Sequence, residues 1–145
     1  MSYAIDSNVL LRSVEKDHPK RDEARASINK LLLAGEEVFL LPQNLVEFWV
    51  VATRPREENG LGLSASDTAE HIAAFEAIIP VYEDTPAIYE KWKRLITQHV
   101  VMGKNAHDAR IAATLTVHGI THLVTFNKRH FKRFPAFTSL LPSEV

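Results

Sequence analysis

Short apolar segments of β type alternate with longer amphipathic segments along the chain. This alternation predicts an α/β domain with a mainly parallel central sheet. The predicted strands lie at residues 3–5, 38–40, 81–82 and 122–125, with a weaker last strand at 137–140. The helices are expected in the gaps between them.

Five helical segments are predicted, at residues 18–35, 41–55, 64–79, 84–100 and 105–119. The second begins with Pro42 in its first turn and must end before Pro55. Ser64 and Asp84 are candidate N-caps of the third and fourth segments. Gly119 closes the last one, since glycine readily adopts the left-handed conformation at a helix end.

The length and composition limit the classes of protein that fit. A chain of 145 residues is enough for one domain of ordinary size, spanning 1–145. With 17 Lys and Arg against 18 Asp and Glu, there is no global basic field, so a polyanion would have to be attracted locally. The lack of cysteine excludes disulfides, thiolate metal sites and a cysteine nucleophile. No signal peptide or membrane span is apparent, so a cytoplasmic protein is expected.

Two predicted helices carry a carboxylate among apolar residues. Glu47 lies within "NLVEFWVVA", where nearly every direction is apolar, so this helix is expected to be buried. Asp108 begins an apolar stripe that continues at Ile111, Ala112 and Leu115. An ionised carboxylate that faces a core costs several kcal/mol or shifts its pKa unless a positive charge meets it.

A third acid, Asp6, follows the first predicted strand in "YAIDSNVLLR". Each acid has an ordinary alternative role. Asp6 could cap a turn, Asp108 could be a first-turn acid that the helix dipole stabilises, and Glu47 could form a buried salt bridge with an arginine. The carboxyl ends of parallel strands, however, share one edge of the sheet, where ligands gather. Three acids meeting there would require a cation, and oxygen ligands favour Mg²⁺ or Mn²⁺ over zinc.

Three segments, "AIDSNVLLR", "LPQNLVEFWVVATRP" and "NAHDARIAATLTVHGITHLVTFNKRHF", resemble the PIN-domain ribonucleases, in particular the VapC-type toxins of toxin-antitoxin pairs. The resemblance implies a three-layer α/β/α PIN-like (Rossmann-like) fold. It also implies that Asp6, Glu47 and Asp108 bind the metal ion. Ser7 and Asn8 match the hydroxyl residue and the Asn that follow the first Asp of the family, and would support Asp6.

The segment after the fourth predicted strand departs from the family pattern. Many members place an acid after the threonine there, where this chain has Thr125 followed by Asn127, and His130 stands where an Asp is common. One negative charge is therefore missing, so one tightly held ion is expected, and any second ion would arrive with the RNA phosphate. By the resemblance, Asn127 would position the attacking water, and Thr125 would support Asp6.

The function implied by the resemblance is that of a metal-dependent endoribonuclease, the toxin of a toxin-antitoxin pair. It would use metal-activated water and leave a 5′-phosphate and a 3′-hydroxyl. The expected partners are RNA, a cognate antitoxin over the acidic pocket and a second copy of the chain. Candidate RNA-binding residues are Arg12, Arg54, Lys104 and Lys128. The alternatives are a catalytically silent PIN-like domain that binds RNA or protein and, more remotely, a small-molecule α/β enzyme.

Overall fold

The computed structural model describes residues 1–145 and contains four strands, β1 (Ser2–Ile5), β2 (Glu37–Phe39), β3 (His122–Val124) and β4 (Thr138–Leu140). They form one sheet in the order β2-β1-β3-β4, and every neighbouring pair is parallel. The central strand β1 pairs with both β2 and β3. The carboxyl ends of all four strands therefore point to the same edge.

Six α-helices connect and cover the strands: α1 (Ser7–Val14), α2 (Arg21–Leu33), α3 (Pro42–Thr53), α4 (Ala65–Ile78), α5 (Pro86–Gln98) and α6 (Asn105–His118). None of these helices is both long and apolar enough to cross a lipid bilayer.

The sheet separates two hydrophobic cores. Tyr3 and Ile5 of β1 pack with residues from α1, α2, α3 and α4, while Ala4 packs with residues from α5 and α6. Val124 and Leu123 of β3 divide between the two cores in the same way. Successive residues of a strand point to opposite faces, so this division gives a helix layer on each side. The predicted three-layer α/β/α fold with a parallel sheet is confirmed.

Helix α1 is missing from the sequence prediction. It begins directly after β1, with only Asp6 between them, and the backbone of Asp6 is extended (φ −71°, ψ 155°) as an N-cap requires. No loop therefore separates the strand from the helix, and eight residues are too few for the helical period to stand out. The predicted strand at residues 81–82 is also wrong, because Val81 makes only an isolated bridge to Leu40.

Helix α3 has the predicted start at Pro42, but it is not buried as expected. Its inner face carries Phe48, which is fully buried and packs edge-on against a ring of α4. Its outer face exposes Val46 (63%), Trp49 (37%) and Val50 (48%). Apolar residues all around a helix predict burial on every side, and here one side has no covering layer within the chain.

The two predicted caps have different outcomes. The Ser64 hydroxyl accepts a hydrogen bond from the backbone N–H of Asp67, which confirms it as the cap of α4. The cap of α5 is Thr85 rather than Asp84, and no side chain caps that helix. Asp84 instead forms an ion pair with Arg110 of α6, at 3.3 Å.

Candidate active site

Asp6 lies at the carboxyl end of the central strand and is almost fully buried, with 4% of its surface exposed. Its carboxylate accepts four hydrogen bonds. One oxygen accepts from the backbone N–H of Ser7 (2.8 Å) and from Asn44 of α3 (3.1 Å). The other accepts from the hydroxyl of Thr125 (2.7 Å) and, more weakly, from the amide of Asn8 (3.4 Å). Asp6 therefore caps α1 and is also held from three other directions.

Thr125 connects this arrangement to the segment after β3. Its buried hydroxyl accepts from the amide of Asn8 (3.3 Å) and from the backbone N–H of Asn127 (3.0 Å) while it donates to Asp6. The Asn8 side-chain oxygen accepts from the backbone N–H of Phe126 (3.0 Å). The side chains of Asn8 and Thr125 thus contact Asp6, whereas Ser7 contacts Asp6 through its backbone N–H and Glu47 through its hydroxyl.

Burial raises the pKa of Asp6 from its ordinary 3.8 to about 6. The hydrogen bonds from Thr125 and Ser7 oppose this shift, and the negative charges of Glu47 and Asp108 add to it. The charges of Glu47 and Asp108 therefore act on Asp6, although the three acids belong to distant parts of the chain. An additional positive charge near them would favour the ionised form of Asp6.

Glu47 is half-buried on α3, and its carboxylate accepts from the hydroxyl of Ser7 (3.2 Å) and from the amide of Gln43 (2.9 Å). The same amide donates to the backbone oxygen of His107 (2.8 Å), and the Gln43 side-chain oxygen accepts from Arg110 (3.2 Å). No Lys or Arg lies within ion-pair distance of Glu47, so the alternative of a buried salt bridge is wrong.

Asp108 lies in the first turn of α6, with 27% of its side chain exposed. Its carboxylate is 3.3 Å from Nδ1 of His130. Burial raises the pKa of Asp108 above its ordinary value, and the nearby His130, His107 and Lys104 act in the opposite direction. Basic side chains therefore oppose the effect of burial on the pKa of Asp108, whereas the hydrogen bonds to Asp6 come from uncharged donors.

An open cavity of about 800 Å³ brings these parts together. Ser7, Glu47, Asp108 and Asn127 all line it, and the nearly buried Asp6 directly precedes Ser7. Its other lining residues are Pro42, Gln43, Val46, Val50, Val51, Arg54, Asp84, Lys104, Asn105, His107, Arg110 and His130. The cavity therefore combines the predicted acids with an apolar wall from α3 and several basic side chains.

The three predicted acids and the neighbouring amide and hydroxyl groups offer oxygen ligands of the kind that a hard divalent cation prefers, and the imidazoles of His107 and His130 also line the cavity. The side-chain positions do not yet form a ligand cluster: no three His, Asp or Glu side chains stand close enough to hold one ion. Glu47 is engaged by Ser7 and Gln43, and Asp108 by His130. Metal binding by the three acids stays a prediction, and it requires these two side chains to turn.

The four candidate RNA-binding residues divide into two groups. Arg54 and Lys104 line the cavity. Lys128 forms an ion pair with Glu144 (2.8 Å), and Arg12 forms one with Glu15 (2.6 Å). Neither Lys128 nor Arg12 lines the cavity, so Arg54 and Lys104 are better placed for a ligand there.

Residues overlooked at the sequence level complete the site. Asn44 is fully buried, donates to Asp6, and has a side-chain oxygen without a partner. Gln43 and Arg110 connect α3 with α6. The available signal was helical spacing, because Gln43 and Asn44 precede Glu47 by four and three residues and so share its face.

A PIN-domain family model matches residues 3–136, and the chain therefore belongs to the PIN-domain family. Ribonuclease VapC24 of Mycobacterium tuberculosis is 27% identical over 136 residues, which cover 90% of each protein. Among solved structures, VapBC2 from Rickettsia felis bound to promoter DNA matches with a TM-score of 0.73 and 16% identity, over 97% of this chain and 98% of that one. Mycobacterium tuberculosis VapC20, described as a toxin that cleaves the sarcin-ricin loop, matches with a TM-score of 0.66 and 14% identity, over 88% and 92%. The structural matches establish the shared fold.

Proposed function

We propose that the protein is a metal-dependent endoribonuclease, the toxin of a toxin-antitoxin pair. The observation that carries the proposal is the placement of buried Asp6 next to Ser7, whose hydroxyl contacts Glu47, beside one open cavity that Glu47 and Asp108 line. Membership of the PIN-domain family, the similarity to ribonuclease VapC24 and the shared fold with VapC20 support the same activity.

Asp6, Glu47 and Asp108 would hold Mg²⁺ or Mn²⁺. When bound, such an ion supplies charge neutralisation, polarisation of a phosphodiester oxygen and a lowered pKa of a bound water. The chain keeps Asp6 oriented through Thr125 and Asn44, and hydrogen-bonded partners of this kind tune how a carboxylate binds a metal.

The remaining polar residues of the cavity serve the substrate in this proposal. Asn127 would orient the attacking water with its side-chain amide, which carries both donors and an acceptor. Arg54 and Lys104 would contact backbone phosphates close to the acids. Hydrolysis would leave a 5′-phosphate and a 3′-hydroxyl.

The proposed protein partners are a cognate antitoxin and a second copy of the chain. Several structural neighbours are toxin-antitoxin complexes, among them VapBC from Salmonella typhimurium bound to DNA (TM-score 0.69, 18% identity). Val46 and Val50 expose apolar surface on α3 and line the cavity wall, and Trp49 is exposed on the same helix. Exposed apolar surface of this kind is common where a partner binds.

The test is cleavage of a structured RNA by the purified protein with Mn²⁺. Asp6→Ala and Asp108→Asn should each lower the rate about a hundredfold or more, since each removes charge that the reaction requires. Asp22→Asn, which changes an exposed acid of α2, is the matched control. Cleavage that persists in both site variants contradicts the proposal.

A second function remains open because of two specific observations. Asn127 replaces the fourth acid of the family pattern, and no three acids stand in ligand geometry. A silent PIN-like domain would bind RNA or protein without cutting it. Calorimetric titration with Mn²⁺ separates the two, because the silent domain predicts no binding that depends on Asp6 and Asp108.

A further inference from the structure

A second groove, of about 360 Å³, borders the acidic cavity. Asn127 and His130 line both, so the groove opens onto the site at the segment that follows β3. Phe126 and Leu141, both half-buried, give it apolar surface. Its volume is within the range of ligand pockets in proteins.

The rim of this groove carries uncompensated positive charge. Arg129 and Lys132 are exposed and have no carboxylate within ion-pair distance. Lys128, which also lines the groove, is neutralised by Glu144. The net charge of the chain is −1, so these two unpaired cations beside the acidic site attract an anion locally rather than through the overall charge.

The occupant has to combine anionic and less polar parts, because the groove places cations next to the apolar surface of Phe126 and Leu141. A nucleic-acid strand has this chemistry, with phosphates along a chain of sugars and bases. A strand whose scissile phosphate lies in the acidic cavity must also continue beyond it. The groove meets the cavity at Asn127 and His130, so the strand can pass directly into it.

We infer that this groove binds the RNA strand next to the cleaved bond, with Arg129 and Lys132 contacting its phosphates. The inference rests on the proposed function. The two cations act by charge rather than by reading bases, so this contact contributes affinity without sequence preference. Choice of the RNA target has to come from other contacts.

The test is fluorescence anisotropy with a labelled oligouridylate in EDTA, where binding is measured without cleavage. The double variant Arg129→Gln with Lys132→Gln should bind about twentyfold more weakly at 0.1 M salt. The slope of log affinity against log salt should become shallower by about 1.4, since two phosphate contacts are lost. The matched control is Arg25→Gln with Arg94→Gln, which removes two exposed cations that line neither the cavity nor the groove.

Weaker binding and a shallower slope in the groove variant alone support the inference. Unchanged binding in that variant, an equal loss in the control, or no binding by the wild-type protein at low salt each overturn it. Cleavage with Mn²⁺ is measured separately on a structured RNA. If the wild-type protein binds the oligouridylate through the groove but cuts no RNA, the proposed nuclease activity is contradicted. RNA binding by the groove is then still supported.

Discussion

Asp6 and Asp108 are held in opposite ways, although burial raises the pKa of both. Asp6 is nearly buried and accepts four hydrogen bonds from neutral donors that belong to α1, α3 and the segment after β3. Asp108 is partly exposed and has the imidazole of His130 as its partner. Folding therefore fixes one acid of the site in place and leaves the other adjustable.

This difference bears on why the three acids form no ligand cluster, although Glu47 and Asp108 line the cavity and Asp6 directly precedes its lining residue Ser7. Four hydrogen bonds fix the Asp6 carboxylate in the absence of a metal ion. Glu47 is held by the side chains of Ser7 and Gln43, and Asp108 by that of His130. On our proposal, metal binding completes the site by recruiting these two acids towards Asp6.

The largest expected effect is the pH dependence that burial of Asp6 imposes on stability. In the unfolded chain Asp6 ionises near pH 3.8, and in the folded protein near pH 6, so the folded state holds more protons between these values. Its contribution to stability is therefore lost as pH rises through this window, by about 3 kcal/mol at most. Urea unfolding in EDTA at pH 4 and pH 7 measures it.

Asp6→Asn provides the comparison for this effect, because an amide does not titrate in that range. As pH rises from 4 to 7, the wild type should lose unfolding free energy relative to the variant. Asp22→Asn serves as the exposed control and should show no such trend. A difference that is constant from pH 4 to pH 7 would mean that Asp6 titrates normally.

The next effect tests how far Asp6 depends on its neutral donors. Thr125→Val keeps the shape of the side chain but removes the hydroxyl that joins Asp6, Asn8 and Asn127. Leaving these buried groups unpaired should lower the unfolding free energy by about 1 to 3 kcal/mol. Mn²⁺ affinity, measured by calorimetry, should fall about 10- to 100-fold.

Thr68→Val is the matched control, since Thr68 is equally buried but bonds only to the backbone of Ser64 in its own helix. It should lose some stability and no Mn²⁺ affinity. Equal losses of affinity in the two variants would show that Thr125 acts through general stability rather than through Asp6.

The sequence was sufficient to predict the fold, and it drew attention to the three acids, because both leave local patterns. Alternating apolar segments predict the layers, and an acid on an apolar face marks a conflict that folding must resolve. The exposed face of α3 could not be predicted, because an apolar residue looks the same whether a core or a partner covers it. Asn44 was missed as a partner of Asp6, since this contact joins segments that are 38 residues apart.

Gln43→Ala tests how Glu47 is held in the site. Gln43 holds Glu47 and links α3 to the His107 backbone and to Arg110 of α6. Its loss should cost about 1 kcal/mol of stability, the usual contribution of such hydrogen bonds. Mn²⁺ affinity should change less than in Thr125→Val, because Glu47 has to leave Gln43 when it turns.

The exposed glutamine of α5 gives the control for this change, as Gln98→Ala. It should alter neither stability nor Mn²⁺ affinity. A loss of affinity in Gln43→Ala as large as that in Thr125→Val would place Glu47 with Asp6 in the fixed half of the site.

The smallest effect is expected from His130→Gln, which removes the basic partner of Asp108. The side chain of His130 is 45% exposed, and ion pairs in such positions contribute about 1 kcal/mol or less, so stability should hardly change. The pKa of Asp108 should rise further, because burial then acts with less opposition from basic neighbours. Carboxyl NMR titration follows this shift, with Lys93→Gln, which breaks the exposed pair with Glu90, as the control. An Asp108 pKa that stays the same in His130→Gln would mean that the two side chains are independent, and the adjustable acid would then lack the partner assigned to it here.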